Sequence, residues 1–407
     1  MSAETISRRP RGVLAKRLCE STFRANPDYE LLLLEDLPAE EQEVLSPLRK
    51  DRSFHGLIRL RSTKGSTAKA VCHETARLFL LLQEPGSLPH AILSESDAEL
   101  TISQLVCDGI LQIAHGREWL CGPAACRADG WTAAESSGRI LADLSLQALK
   151  HAESLETVDA MELSACLYRY NTLPLTPQWL RRIPDGTALE EYLQIQVGGS
   201  GRRVLDQGWV RVSPETDRDP WLAWTSLSIP APQPGAAGYK LYLSPLPSHL
   251  RDAFRIFLPA ITANGAHHFK VGSNVRGLLR PDKIVAYFTD LPSLFEAARP
   301  ITKELSGCPA QGVPFTAELE CGALISWGSD PPLQEEVPVW LRRQSWRQWI
   351  SNRLGSALAV AKREKSAAMP AWRFALERLR LEGVNVVTWA PVSTSWQSKP
   401  APEVTTS

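Results

Sequence analysis

Apolar and polar residues alternate along this chain with two different periods, and the period predicts where strands and helices lie. In the C-terminal half, residues 239–245, 267–272 and 280–288 have the two-residue alternation or the β-branched content of short strands. Between the first two segments the apolar period lengthens to that of a helix, at Leu250, Phe254, Phe257, Leu258 and Ile261. The order strand, helix, strand, loop, strand predicts an α+β unit.

The N-terminal half is predicted to be mostly helical. Residues 69–83 have an amphipathic helical pattern, and residues 100–110 carry the apolar positions of a second helix. Residues 109–120 then alternate around His115 and Gly116, which is the pattern of a β-hairpin. Two helices followed by a hairpin are the outline of a winged helix.

We therefore expect an α+β fold. Its N-terminal region is mostly helical with a winged-helix-like module, and its C-terminal domain contains a mostly antiparallel sheet. The segment from Pro230 to Ala237 is rich in proline and small residues and is the predicted linker between the two. The predicted division is an N-terminal arm (1–67), a helical and winged-helix-like domain (68–229), a C-terminal domain (238–390) and a disordered tail (391–407).

Composition and charge argue against several broad classes of protein. The 407 residues contain 45 Lys and Arg against 45 Asp and Glu, so net charge gives no general attraction to nucleic acid or membrane surfaces. No apolar run approaches the roughly 20 residues of a membrane-spanning helix, and the basic N-terminus lacks the apolar region of a signal peptide. The eight cysteines include no Cys-x-x-Cys pair, which argues against a metal site. We expect a cytoplasmic protein without nucleic-acid or membrane partners.

The C-terminal unit concentrates cations and phenols. Lys240 and Tyr242 are two residues apart and therefore share one face of the first predicted strand. The other members of the group are Lys270, Arg280, Lys283 and Tyr287. With few carboxylates nearby, such a cluster suits an anion, most naturally a phosphate. The ordinary alternative is that these lysines are solvated and that these tyrosines only pack.

Three segments of this unit form a recognisable set: Lys240-Leu241-Tyr242-Leu243-Ser244, Phe269-Lys270 and Arg280 to Tyr287. Together they resemble the phosphothreonine and phosphoserine lyases. That group includes secreted bacterial effectors that inactivate MAP kinases, the HopA family of plant pathogens and the lyase domains of lanthionine synthetases. The family has a histidine at the position of Tyr242. It also uses arginines on a late helix, where Arg347 and Arg353 lie by rough position.

The resemblance implies an enzyme that removes phosphate from phosphoserine or phosphothreonine and leaves dehydroalanine or dehydrobutyrine in the peptide. The catalytic residues that the resemblance implies are Lys270, Lys240, Tyr242 and Tyr287. Lys270 would be the base, and Lys240 would lie beside the developing negative charge. Tyr242 takes the place of the acid, and His267 or His268 is the alternative for that role. The phosphate-binding residues it implies are Arg280, Lys283, Arg347 and Arg353. Such chemistry needs no metal and no organic cofactor.

The resemblance also implies a biological setting. A stand-alone lyase with an added peptide-binding domain is similar to enzymes of lanthipeptide or thioamitide biosynthesis, which modify a ribosomally made precursor peptide. A separate Ser/Thr kinase would phosphorylate that peptide, a separate cyclase would act on the product, and the winged-helix-like module would grip the leader by strand addition. The alternative is a non-catalytic scaffold that binds the phosphopeptide or leader and partners the kinase or cyclase.

Overall fold

The computed structural model describes residues 20–61, 68–93, 98–128, 139–213, 220–232, 238–319, 322–331, 344–364 and 369–392. Helices and antiparallel strands are mixed within it, which confirms the predicted α+β class. Most of the predicted linker (233–237) and of the predicted tail (393–407) lies outside these residues. Among the described helices, none is both long and apolar enough to cross a membrane.

Strands occur from the beginning to the end of the described chain. They are β1 (Phe23–Ala25), β2 (Tyr29–Leu32), β3 (Phe54–Leu60), β4 (Lys69–Cys72), β5 (Leu111–His115), β6 (Glu118–Leu120), β7 (Trp209–Arg211), β8 (Trp221–Ser226), β9 (Tyr239–Leu243), β10 (His268–Gly272), β11 (Ile284–Phe288), β12 (Ala317–Glu318), β13 (Ile325–Ser329), β14 (Val384–Asn385) and β15 (Ala390–Pro391).

The α-helices lie between these strands. They are α1 (Ala39–Leu45), α2 (His73–Leu81), α3 (His90–Leu93), α4 (Ala98–Cys107), α5 (Gly122–Ala128), α6 (Ile140–Ser154), α7 (Ala160–Arg169), α8 (Pro177–Arg182), α9 (Gly186–Leu193), α10 (Ser200–Gly208), α11 (Leu250–Ala263), α12 (Val275–Leu278), α13 (Leu291–Glu304), α14 (Trp346–Arg363) and α15 (Ala371–Leu381). Short 3₁₀ helices occupy Leu34–Asp36, Ser46–Lys50 and Pro247–His249.

A seven-stranded antiparallel sheet organises the C-terminal half, in the order β12-β13-β9-β11-β10-β8-β7. Its three central strands β9, β11 and β10 come from the three segments in which the sequence predicted strands. The predicted helix between the first two segments is α11. The mostly antiparallel sheet that the alternation predicted is therefore confirmed.

The two faces of this sheet carry different chemistry, because successive strand residues point to opposite sides. Leu241 and Phe269 belong to one face and pack in a large apolar core with α11 and α13. Lys240 and Lys270 belong to the other face. A second apolar core, formed by α6, α7, α14 and α15, lies on that side, where Trp346 of α14 approaches Gly328, the register partner of Lys240.

The predicted boundary at residues 230–237 falls inside this sheet. Strands β7 and β8 precede it, yet β8 pairs with β10 over five residue pairs and supplies Trp224 to the same core as Phe269. Helices α8, α9 and α10 also contribute to that core. The proline-rich segment is therefore a connection between two strands of one sheet.

The N-terminal part contains the predicted helices and hairpin, with additional strands. Helices α2 and α4 precede the β5–β6 hairpin, and β1 pairs with β5 along three residues. Residues 20–61, predicted as part of an arm, thus supply β1 to this module and β2 and β3 to a separate three-stranded sheet. Residues 69–72, predicted as helix, form β4 because they pair with β3. At the end of α4, Asp108 accepts hydrogen bonds from Arg378 of α15 at 2.7 and 3.2 Å.

Candidate active site

The polar face of the seven-stranded sheet brings the predicted catalytic residues of three strands together. Tyr287 of β11 lies between Lys240 of β9 and His268 of β10 in the register. The Nζ of Lys240 is 5.0 Å from the centre of the Tyr287 ring, and the Nζ of Lys270 is 5.8 Å from it. Both lysines therefore approach one phenol ring, as cations do at the electron-rich face of an aromatic ring.

Lys270 is partly buried, and its ammonium lies against Trp221. The Nζ atom is 4.1 Å from the centre of the indole ring, which stands at the start of β8 opposite Gly272. Burial lowers the pKa of Lys270 from its ordinary value, and the Asp282 carboxylate opposes this only in part. A lysine with a lowered pKa has a larger neutral fraction near pH 7 and so becomes a usable base.

Asp282 is the centre of a buried group of charges. Its Oδ1 accepts a hydrogen bond from Nε of Arg280 at 2.8 Å, and its Oδ2 accepts one from Nη2 at 2.9 Å. The Nη1 of Arg347 lies 2.8 Å from the same Oδ2. Burial alone would raise the pKa of Asp282, but the Arg347 and Arg280 guanidiniums override it and hold the pKa well below its usual range. Asp282 is therefore a carboxylate at any working pH.

Arg347 is almost completely buried beneath this group. Its Nη2 donates to the backbone carbonyl of Tyr168 at 2.8 Å, and its Nε donates to the carbonyl of Pro314 at 3.3 Å. The guanidinium also lies 4.9 Å from the ring centre of Tyr168. The side chain of Arg347 is only 1% exposed, its Nε and Nη2 donate to backbone carbonyls, and its Nη1 lies against the Asp282 carboxylate, so Arg347 is placed as a support of Asp282.

Lys240 is held by a second carboxylate. Its Nζ lies 2.7 Å from Oδ1 of Asp330, which follows β13. The same oxygen accepts a hydrogen bond from the backbone N–H of Trp346, the first residue of α14, at 2.9 Å. Asp330 therefore fixes the Lys240 ammonium and the start of α14 relative to each other.

The predicted proton donors have unfavourable pKa values for that task. Burial, with a further contribution from Asp330, raises the pKa of Tyr242 well above its ordinary 10.0. Burial lowers the pKa of His268 to about 4 and also lowers the pKa of His267, so both imidazoles are neutral near pH 7. Burial raises the pKa of Tyr287 to about 12. The catalytic role of Tyr242 stays a prediction.

Two predicted phosphate ligands lie outside this group. Lys283 is fully buried, where its Nζ donates to the carbonyl of Pro245 at 3.0 Å and to Oε1 of Gln311. Arg353 is exposed on α14, with its guanidinium 5.4 Å from the ring centre of Trp349. The contacts of Lys283 and Arg353 are therefore with residues other than Asp282, Arg280 and Arg347.

The sequence analysis missed residues that are central to the site. The expectation of few nearby carboxylates is wrong, because Asp282 and Asp330 both bind predicted site cations. Asp282 had a sequence signal, since it stands two residues after Arg280. Tyr168, which reaches the site from α7, had a weak signal, since the interleaved Tyr and Arg of Tyr168-Arg169-Tyr170 suit a phosphate as well as simple packing between helices. Trp221 had none beyond its residue type, because it reaches the site from the edge half of the sheet.

Comparisons with known proteins give structural neighbours of low sequence identity. No protein-family model matches the chain, and no curated protein matches it. An effector protein from Pseudomonas syringae pv. tomato strain DC3000 is 14% identical, with a TM-score of 0.42 over 62% of this chain and 96% of that one. The Salmonella phosphothreonine lyase SpvC is 12% identical, with a TM-score of 0.25 over 51% and 98%. The Shigella flexneri effector and phosphothreonine lyase OspF is 14% identical, with a TM-score of 0.25 over 30% and 69%.

The arrangement defines what chemistry is available. Around Trp221 and Tyr287 lie Lys270, whose pKa is lowered, the ion-paired Lys240 and the partly exposed guanidinium of Arg280. Among the described residues, no group of three or more His, Cys, Asp or Glu side chains is arranged to hold a metal ion. The site can take up a proton at Lys270 and bind an anion at Arg280.

Proposed function

We propose that this protein eliminates phosphate from phosphothreonine or phosphoserine residues of a peptide. The observation that carries the proposal is that one indole ring, Trp221, holds both the candidate base and the candidate phosphate ligand. The Nζ of Lys270 lies 4.1 Å from its centre and the Cζ of Arg280 lies 4.9 Å from it. A phosphorylated side chain likewise carries its acidic Cα–H and its phosphate only a few bonds apart.

The elimination breaks two bonds and forms one double bond. The neutral Nζ of Lys270 takes the proton from the α-carbon, and the freed electron pair converts the single bond between the α- and β-carbons into a double bond. The bond from the β-carbon to oxygen breaks, and its electron pair leaves with the phosphate. Negative charge that develops on the neighbouring amide oxygen is stabilised by the Lys240 ammonium, which Asp330 holds in place. Arg280 neutralises the departing phosphate.

The departing phosphate must carry one proton to leave as hydrogen phosphate. A phosphate ester that binds as its monoanion brings that proton with it, since its second pKa is about 6. A dianionic ester requires a donor, and Tyr242 is the residue that the sequence proposes for this step. The high pKa of the Tyr242 phenol favours the first route.

The proposed setting is the cytoplasmic modification of a ribosomally made precursor peptide. A separate Ser/Thr kinase would supply the phosphorylated peptide, and a separate cyclase would add a thiol to the dehydroamino acid. The N-terminal module supports this setting because its hairpin ends in the short strand β6, an edge at which a leader could add as a further strand. Asp108 and Arg378 tie that module to the helices behind the site.

Lys270→Ala tests the proposal, with Lys303→Ala on an exposed helical turn as the matched control. We expect the wild-type protein and the control to convert a phosphothreonine peptide to its dehydrobutyrine form, seen by mass spectrometry as loss of one phosphoric acid per site. Lys270→Ala should bind the peptide within a few-fold of wild type and eliminate nothing detectable. Normal turnover by Lys270→Ala would refute the assignment of the base.

A phosphopeptide-binding scaffold is the second candidate function. The observation that favours it is Tyr242, a buried phenol of raised pKa at the position where the related lyases carry a histidine. A scaffold would bind the phosphopeptide with its phosphate intact over hours. Elimination by the wild-type protein would exclude this candidate.

A further inference from the structure

We propose that Asp282, together with the hydroxyl of Tyr168, positions Arg280 to receive the phosphate group. Neither residue belongs to the set that the sequence analysis assigned to the site. The inference rests on the phosphate recognition of the proposed function. It concerns how the guanidinium is aimed, and it is independent of which group moves protons.

The hydrogen bonds of Arg280 fix the plane and direction of its guanidinium. Asp282 accepts from Nε and Nη2 at 2.8 and 2.9 Å, and the Tyr168 hydroxyl accepts from Nη2 at 3.0 Å. A side-on pair of this kind uses one edge of the planar group. The Nη1 atom therefore points its N–H groups away from Asp282.

Exposure shows on which side a ligand arrives. The side chain of Asp282 is 6% exposed and that of Arg347 is 1% exposed, whereas that of Arg280 is 25% exposed. Asp282 and Arg347 thus form the buried support, and Arg280 is the member of the group that an incoming anion can reach.

The net charge of the group shows that Asp282 can position Arg280 without competing with phosphate for it. Two guanidiniums, from Arg280 and Arg347, surround the single carboxylate of Asp282. The three residues together keep one positive charge. Asp282 can therefore hold Arg280 in place without cancelling its attraction for an anion.

Asp282→Asn separates positioning from simple electrostatics, because the two predict opposite signs. Removing a negative charge near a phosphate site should tighten phosphate binding if only charge matters. If Asp282 aims Arg280, the asparagine amide puts a donor against the guanidinium, Arg280 loses its direction and phosphate binding weakens. Tyr168→Phe removes only the hydroxyl contact and should act in the same direction with a smaller effect.

The experiment measures dissociation constants for a phosphothreonine peptide and its unphosphorylated twin by isothermal titration calorimetry. We expect Asp282→Asn to reduce the preference for the phosphorylated peptide about 10- to 100-fold, the value of a charge-assisted hydrogen bond, and Tyr168→Phe to reduce it about 2- to 10-fold. In an Arg280→Ala background, Asp282→Asn should change the preference no further. Asp206→Asn, which breaks the exposed Arg202–Asp206 pair of 2.7 Å, should leave the preference unchanged.

Three outcomes would overturn the inference. The first is an unchanged or greater preference for phosphate in Asp282→Asn. The second is a further loss of preference when Asp282→Asn is added to Arg280→Ala, since a purely structural role would be additive. The third applies if circular dichroism shows that Asp282→Asn does not fold: it is a preference for the phosphorylated peptide that is unchanged in Tyr168→Phe. A wild-type protein that does not prefer the phosphorylated peptide would overturn the proposed function itself.

Discussion

Substitution of Lys283 tests whether this lysine binds phosphate or is buried for structural reasons. The sequence assigns it to phosphate binding, but the structure buries it fully against Pro245 and Gln311. We predict that Lys283→Met binds a phosphothreonine peptide within about twofold of wild type, because the ammonium has no exposed surface to offer. The same substitution should change how the stability of the protein depends on pH.

The size of that change follows from the pKa of Lys283, which burial lowers from 10.5 to about 7. At about 1.4 kcal/mol for each pH unit, the buried charge costs about 5 kcal/mol below pH 7 relative to the neutral amine. Between pH 7 and 10 the unfolded chain holds a proton on Lys283 that the folded chain has lost. Wild-type stability should therefore rise with pH in this window, and Lys283→Met should lack this contribution.

Urea denaturation at pH 7.5, 8.5 and 9.5 measures the effect. The unfolding free energy of wild type minus that of Lys283→Met should increase by about 2.5 kcal/mol across this interval. Subtracting the two unfolding free energies removes the contributions of other titrating groups. Lys303→Met is the control, because it shows how loss of an exposed lysine changes the dependence of stability on pH. Parallel curves for wild type and Lys283→Met would refute the reasoning, and so would a large loss of phosphopeptide binding.

Two further predictions concern the catalytic residues. Tyr242→Phe should slow elimination less than tenfold in a single-turnover assay, because the Tyr242 phenol is buried and its pKa is raised. A rate loss of about 10²–10⁴-fold would instead show that Tyr242 is the general acid. Lys270 should react with trace acetic anhydride at a lower midpoint pH in the folded protein than in urea, because burial lowers its pKa. Equal midpoints in the peptide mass spectra would contradict this.

The parts of the site that the sequence predicted are those set by local geometry. Two-residue spacing put Lys240 and Tyr242 on one strand face, and the structure keeps them there. Pairing of neighbouring strands then brings Tyr287 beside Lys240 and His268. The alternation of residues along the sequence predicts these positions, because each depends only on one strand and the strand paired with it.

The remaining parts depend on contacts between distant segments, which no local pattern reports. Residues 20–61 lack strong alternation, and three segments within them form strands because β1 pairs with β5 and because β3 pairs with β2 and β4. The proline-rich segment after residue 229 has the composition of a linker, but composition does not show that β8 before it pairs with β10 after it. The support of Asp282 similarly joins α7 to α14.

The pairing of α7 with α14 has a consequence for synthesis of the protein on the ribosome. The carbonyl of Tyr168 and the guanidinium of Arg347 are 179 residues apart in the chain. At about 5–20 residues per second, roughly 10–40 s pass between their translation. During that interval Leu163 and Leu167 of α7 have emerged while the α14 residues that bury them have not. A nascent chain released before α14 is made therefore exposes these leucines to chaperones and proteases and contains no assembled Asp282 group.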